Sequence, residues 1–270
     1  MSSKKKSKSK NTTKKNIAKK NTTPKRIPIA EIILVMSALF LGVLIVILVA
    51  KNKTHTVIEP TRVISGDYPM PYEVVEEDKL TYFAYMDIPD MIFKKMQGAS
   101  FKDDCPVARE DLQYMKVLYW GFDNEPHQGE LIVNRAIAPD LADIFYKLYK
   151  ASYPIGSISM IDIYGGNDEV SMSKNNTSCF NGRKIAGTDT WSMHAYGLAI
   201  DLNPLYNPYV KSDGTVLPIA GEAYADRDSN FLYKIDENDY AYKLFTSHGF
   251  TWGGSWESVK DYQHFEKVIE

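Results

Sequence analysis

Hydrophobic and polar positions divide this 270-residue chain into four stretches of different character. Residues 1–26 show no apolar periodicity. They are mostly Lys, Ser, Asn and Thr, with eleven basic residues and no acid. Such a segment has too little apolar surface to repay the entropy of ordering and is expected to be disordered. Residues 27–50 reverse the pattern: from position 32 onward every residue is apolar or small, with Ser37 the one polar exception. About 20 apolar residues suffice for a helix to cross a bilayer. The excess of Lys and Arg before the run predicts a cytoplasmic N-terminus with the rest of the chain outside. The run ends in Leu48-Val49-Ala50, with no small residue three positions before a cut. An uncleaved, single-pass signal anchor in the cell membrane is therefore expected rather than a signal peptide. Residues 51–75 are polar with Pro60, Pro69 and Pro71, the composition of a stalk, and His55 within it is expected to be solvated. From Leu80 the density of aliphatic and aromatic residues rises and stays high, which predicts one domain over residues 76–270.

Within that domain the periodicity names a few elements. Leu141, Ile144, Phe145, Leu148 and Tyr149 fall at i, i+3, i+4, i+7 and i+8, one face of an amphipathic helix. Asp140 is its expected N-cap, and Pro154 and Gly156 stop it. Residues 157–164 alternate and predict a strand closed by Gly165-Gly166. A second helix is expected over 238–247, stopped by Gly249, with strands at 130–134, 198–202 and 264–269. Helices and strands do not alternate strictly, so the class is α+β, with a small antiparallel sheet and flanking helices.

Charge and cysteine narrow the function classes. The chain holds 32 Lys and Arg against 34 Asp and Glu, but twelve of the basic residues and only one acid lie in residues 1–51. Residues 52–270 therefore carry a net charge of −13, a poor match to nucleic acid. Cys105 and Cys179 lie in the extracytoplasmic part and are not in a CxxC pair, which argues against a cysteine-ligated metal. Whether they pair with each other is left open by sequence.

The candidate chemistry sits near the C-terminus. His194 and Asp201 are seven residues apart, with Gly197 between them to let the chain turn, and Asp261 precedes His264 by three. An acid facing inward from a strand is costly unless it is paired or holds a metal. Two imidazoles and a carboxylate make a three-ligand zinc site with an open position, and a further carboxylate beside it can serve as base. Taken singly, each histidine reads as well as a half-buried core residue. His127, in a polar turn, and His248, at a helix end, get that structural reading. Trp191, Tyr196, Trp252 and Trp256 read as pocket wall and core.

The longer pattern resembles a known family. Phe180-Asn181-Gly182-Arg183, then Trp191-Ser192-x-His194-Ala195-Tyr196-Gly197-x-Ala199-x-Asp201-Leu202-Asn203-Pro204, then Trp252-Gly253-Gly254, Asp261-x-x-His264 and Phe265-Glu266 look like the M15 zinc peptidases. These are the D-alanyl-D-alanine carboxypeptidases and L-alanyl-D-glutamate endopeptidases that cut peptidoglycan stem peptides. The likeness covers most of residues 85–270 and none of the anchor. It implies Zn²⁺ held by His194, Asp201 and His264, Asp261 as general base, and Arg183 on the scissile carbonyl or its oxyanion. Ser192, Trp191, Tyr196 and Trp256 would be supporting or pocket residues. Two departures stand out. Asp261 replaces a Glu found in some members, which tilts the expectation slightly towards the endopeptidases. Gly182 stands where Cys is common. The resemblance of the fold to hedgehog-type domains leaves a second reading, a zinc-containing cell-wall binding module without turnover. The stretch 207–230 is expected to be the loop that closes or opens the pocket, and with it decides which bond is cut.

Overall fold

The computed structural model describes residue 79 and residues 81–269. The predicted tail 1–26, anchor 27–50 and stalk 51–75, with His55, lie outside the described residues. Among the described residues no helix is long and apolar enough to cross a membrane. In chain order they form β1 (Tyr85–Asp87), α1 (Asp90–Met96), β2 (Leu112–Trp120), β3 (Pro126–Asn134), α2 (Ala138–Lys150), β4 (Ser157–Ile158), α3 (Asp168–Ser173), β5 (Asn176–Thr177), β6 (Ala199–Asp201), β7 (Tyr209–Val210), β8 (Val216–Leu217), α4 (Tyr240–Ser247), β9 (Thr251–Trp252), β10 (Lys260–Asp261) and β11 (His264–Glu266). The mixture is α+β, as the pattern predicted.

The largest sheet, ordered β1-β2-β3, is antiparallel throughout. Its side chains alternate faces, and both faces are buried. Met115, Val117, Leu131 and Val133 meet Leu141, Ile144, Phe145 and Leu148 of α2. Leu112, Tyr114 and Ile132 meet Ile88, Met96, Met160 and Phe180 on the other side. The first cluster continues into the sheet β6-β11-β9 through Ile200, Trp252 and Phe265 and is closed by Ala241, Leu244 and Phe245 of α4. The strands that carry the candidate ligands are thus bolted to the main core. Phe245 is fully buried and stacks on Phe265 with ring centroids 4.4 Å apart. Phe245→Ala is expected to destabilise by about 3–5 kcal/mol, read as a lower midpoint in urea.

Several boundaries differ from the expectations. Helix α2 has Ile137, not Asp140, at its N-cap. Pro139 lies in the first turn, where its missing N–H costs nothing. Asp140 instead takes the Lys267 ammonium at 2.8 Å. The expected strand 157–164 is only two residues of strand, β4, followed by a 3₁₀ turn at Ile161–Tyr164. Asp162 Oδ1 accepts the Ser100 N–H at 3.2 Å and fixes that turn. A run this short cannot separate a period of two from one of three. Helix α4 starts two residues after the expected 238, because Asp239 caps it by accepting the N–H groups of Ala241 and Tyr242. Strand β3 extends the expected 130–134 back to Pro126, while β6 and β11 are shorter than the expected 198–202 and 264–269.

Candidate active site and metal centre

The antiparallel register of β6 and β11 sets His264 directly opposite Asp201. Cross-strand partners stand close enough for their side chains to meet, and His264 Nδ1 lies 3.1 Å from Asp201 Oδ1. His194 comes from a 3₁₀ turn, Met193–Tyr196, just before β6. Ser192 caps that turn, its hydroxyl accepting the His194 N–H at 3.3 Å. Gly197 ends it at φ +66°, where an added Cβ would also stand 2.8 Å from Asn134 N. The turn brings His194 Nε2 to 3.2 Å from both Asp201 Oδ1 and His264 Nδ1.

The outer nitrogens are engaged. His194 Nδ1 lies 2.5 Å from the Cys179 carbonyl oxygen, which can only accept, so this nitrogen donates. His264 Nε2 lies 3.0 Å from Glu266 Oε2. Both rings are thereby steered to offer lone pairs inward, the arrangement that orients histidines on metals. Two lone pairs and a carboxylate oxygen at this spacing repel unless a metal cation or a proton stands among them. Tetrahedral zinc with bonds of about 2.0–2.2 Å spaces its ligands about 3.3–3.6 Å apart, so the three donor atoms, 3.1–3.2 Å apart, would fit that ion after opening by a few tenths of an ångström. His194, Asp201 and His264 form the group of metal-binding type among the described residues. Without a metal, burial would lower the His264 pKa, but hydrogen bonds to Asp201 and Glu266 push it up to about 10. Burial would raise the Asp201 carboxyl, yet His194 and His264 hold it well below the carboxylate range.

Asp261 reaches the same place from another sheet. It lies on β10, opposite Tyr209 of β7. Burial pushes its carboxyl up to about 7, against the attraction of His264. Its Oδ1 is buried with no hydrogen-bond partner among the described residues. Gly253 permits this approach: a Cβ there would stand 2.7 Å from Asp261 O and 3.3 Å from His264 Cβ. The Trp252-Gly253-Gly254 segment is thus a spacer that lets β10 and β11 pass close by.

These groups open into a cleft of about 530 Å³ that Arg183, Trp191, Ser192, Trp256, Asp261 and the three ligand residues all line. Arg183 Nε lies 2.5 Å from Asp168 Oδ2, an ion pair without hydrogen-bond alignment. Asn181 Nδ2 donates to the other oxygen of Asp168 at 2.9 Å. Trp256 packs on the His264 ring at 5.2 Å between centroids, and Lys184 lies over Trp191. Tyr196 is not part of this cleft. It packs against the main core, and its carbonyl accepts the Asn134 amide at 2.8 Å. The stretch 207–230, expected as a loop, forms the β7–β8 hairpin and a 3₁₀ turn at Ile219–Tyr224. The half-buried Arg227 binds its ends together through Tyr206 O, Asn207 Oδ1 and Ile235 O.

The remaining expectations resolve simply. His127 pairs with Asp123 and stacks on Tyr119. His248 bonds Leu244 O and Asp143. Both are structural. Cys105 and Cys179 are unpaired. A Cβ at Gly182 would stand 2.5 Å from Ser100 O and 3.1 Å from Cys105 Sγ, so this position has no room for a side chain. Cys179 is buried, with Sγ 3.4 Å from Gly197 O. Sequence reasoning gave no role to Glu266, Asp168, Tyr209 or Lys211, all of which line the cleft. For Glu266 there was a signal: it lies two residues after His264 on one strand, hence on the same face.

Residues 186–267 match the family model described as D-alanyl-D-alanine carboxypeptidase. The match holds His194, Asp201, Asp261 and His264 and stops short of Arg183 and Asp168, a narrower span than the resemblance over 85–270. No curated protein and no solved structure matches the chain. The matched segment supports the M15 peptidase family, whose members are in general zinc-dependent, and a peptidase that acts on peptidoglycan.

Proposed function

We propose that this chain is a zinc-dependent peptidase that hydrolyses peptidoglycan stem peptides at the D-Ala–D-Ala or the L-Ala–D-Glu bond. Residues 27–50 would anchor it in the cell membrane with the catalytic domain on the outer side, within reach of the wall. The observation that carries the reading is the convergence of His194 Nε2, His264 Nδ1 and Asp201 Oδ1 to within 3.2 Å of one another, with Asp261 and Arg183 in the same cleft.

Zinc held by His194, Asp201 and His264 would supply Lewis acidity and make water a usable nucleophile near neutral pH. Asp261 takes the proton of the attacking water and returns it to the leaving amine, as a general base turned acid. Arg183, steadied by Asp168, offers its guanidinium to the carbonyl oxygen as charge develops there. Glu266 holds the His264 ring in its ligating tautomer, and Ser192 holds the turn that aims His194. Glu266→Ala is expected to weaken zinc affinity by about 10- to 100-fold, measured by competition with a chelator.

The test is digestion of purified peptidoglycan and of a free pentapeptide stem by the full chain with one equivalent of zinc, with products read by mass spectrometry and Asp261→Ala alongside. Loss of one D-Ala identifies the carboxypeptidase; a stem lacking L-Ala identifies the endopeptidase. No product with zinc still bound would overturn the hydrolase reading in favour of a binding module.

A further inference from the structure

The β7–β8 hairpin forms one wall of the cleft. Tyr209 faces Leu217 on one side and Asp261 on the other, so these three make one cross-strand row, and all three line the cleft. Side chains alternate along a strand. Lys211, two residues after Tyr209, falls on the same face and lines the cleft too, whereas Val210 and Val216 do not. The backbone around Lys211 is tied down. Its N–H donates to Thr215 O at 2.9 Å, its carbonyl accepts the Gly214 N–H at 3.0 Å, and Asp213 Oδ1 accepts the Thr215 N–H at 2.9 Å.

The Lys211 ammonium makes no hydrogen bond or ion pair among the described residues, and only the exposed Asp213 carboxylate of the same turn attracts it, without touching it. The other cations of the cleft are engaged, Arg183 with Asp168 and Lys184 with Asp189 at 3.2 Å. A half-buried, unpaired cation is an unfavourable arrangement until an anion meets it. A substrate anion can fill that place, because Asp213 is exposed and accepts the Thr215 N–H, while Asp201 and Glu266 are engaged with His264.

We propose that Lys211 binds the free α-carboxylate of the substrate residue that leaves as the amine, with Tyr209 and Leu217 as the apolar floor beneath that residue's side chain. The proposal rests on the peptidase reading above. The spacing suits it. Two strand residues place the Lys211 backbone about 7 Å from the row that holds Asp261. The carboxylate lies one residue, about 3.5 Å, beyond the scissile carbonyl, and the flexible four-carbon stem of lysine spans the rest. Both candidate bonds share this chemistry. A terminal D-Ala carries the group as the chain end, and a D-Glu joined through its γ-carboxyl carries it as a free α-carboxylate within the chain. The subsite selects acid over amide at that position, whichever bond is cut.

The test uses two peptide pairs and the full chain. One pair is acetyl-L-Lys-D-Ala-D-Ala and its C-terminal amide; the other is L-Ala-γ-D-Glu-L-Lys and its D-isoglutamine counterpart. Binding is measured calorimetrically on the Asp261→Ala protein, with and without zinc, and turnover is measured on the protein with Asp261 intact. The acid is expected to bind about tenfold to a hundredfold tighter than the amide in at least one pair. Lys211→Met should bring that ratio close to one, while Lys211→Arg keeps most of it. A preference in the first pair alone identifies terminal D-Ala, and in the second alone γ-linked D-Glu. No preference in either pair, or one that survives Lys211→Met, overturns the proposal. Acid preference without turnover supports the subsite and overturns the hydrolase reading; turnover without acid preference does the reverse.

Discussion

Asp261→Asn is expected to lower kcat by roughly 10²- to 10⁴-fold while one equivalent of zinc stays bound. The side chain is kept in size, so the change removes only the ability to take a proton. Asp261 is not among the converging ligand atoms, and it stands on the β10–β7 pairing rather than the β6–β11 pairing that joins Asp201 to His264. Metal content and metal affinity should therefore survive the substitution. The pH dependence gives an independent check. Burial pushes the carboxyl up to about 7 in the metal-free protein. A base works only when deprotonated, so kcat/KM should fall as pH drops through this pKa. A cation among the neighbouring ligands favours the charged carboxylate and moves that limb down from 7. The limb should be present with Asp261 and absent from the residual activity of Asp261→Asn. Loss of zinc along with activity would make Asp261 a ligand instead, and an unchanged acid limb would assign the base elsewhere.

The division between what was legible in the sequence and what was not follows from element length. Helix α2 announces itself because thirteen residues give the 3.6-residue period room to repeat. Strand β2 carries nine residues and was still missed. Both of its faces are buried, so it presents a nearly unbroken apolar run rather than an alternation. The ligand residues were visible through their spacing and the resemblance, together with Gly197. Their convergence across neighbouring strands was expected and is found; the register that sets His264 opposite Asp201, more than 60 residues away, was not visible. The cleft wall was hidden for a different reason. Strands β7, β8 and β10 are two residues each, too short for any periodicity, so 207–230 looked like a loop and Tyr209 and Lys211 carried no signal. Asp168 was equally silent, since only the fold brings α3 against Arg183.

That contact bears on the second large effect. Arg183→Ala is expected to lower kcat by about 10²- to 10³-fold and kcat/KM by the same factor, with zinc content unchanged. Equal losses in the two constants are the mark of an interaction made only as charge develops on the carbonyl oxygen. The guanidinium meets Asp168 through Nε. That leaves its two terminal nitrogens to address a single oxygen as a planar fork. Lysine has neither the fork nor an Nε for Asp168, so Arg183→Lys should recover little of the loss. Asp168→Ala should lower kcat in the same direction by a smaller factor, because the guanidinium remains but loses its fixed orientation. A rise in KM with kcat preserved would instead make Arg183 an anchor for the bound substrate. The carbonyl oxygen would then depend on the metal alone, and Asp168 would serve the shape of the cleft rather than the reaction.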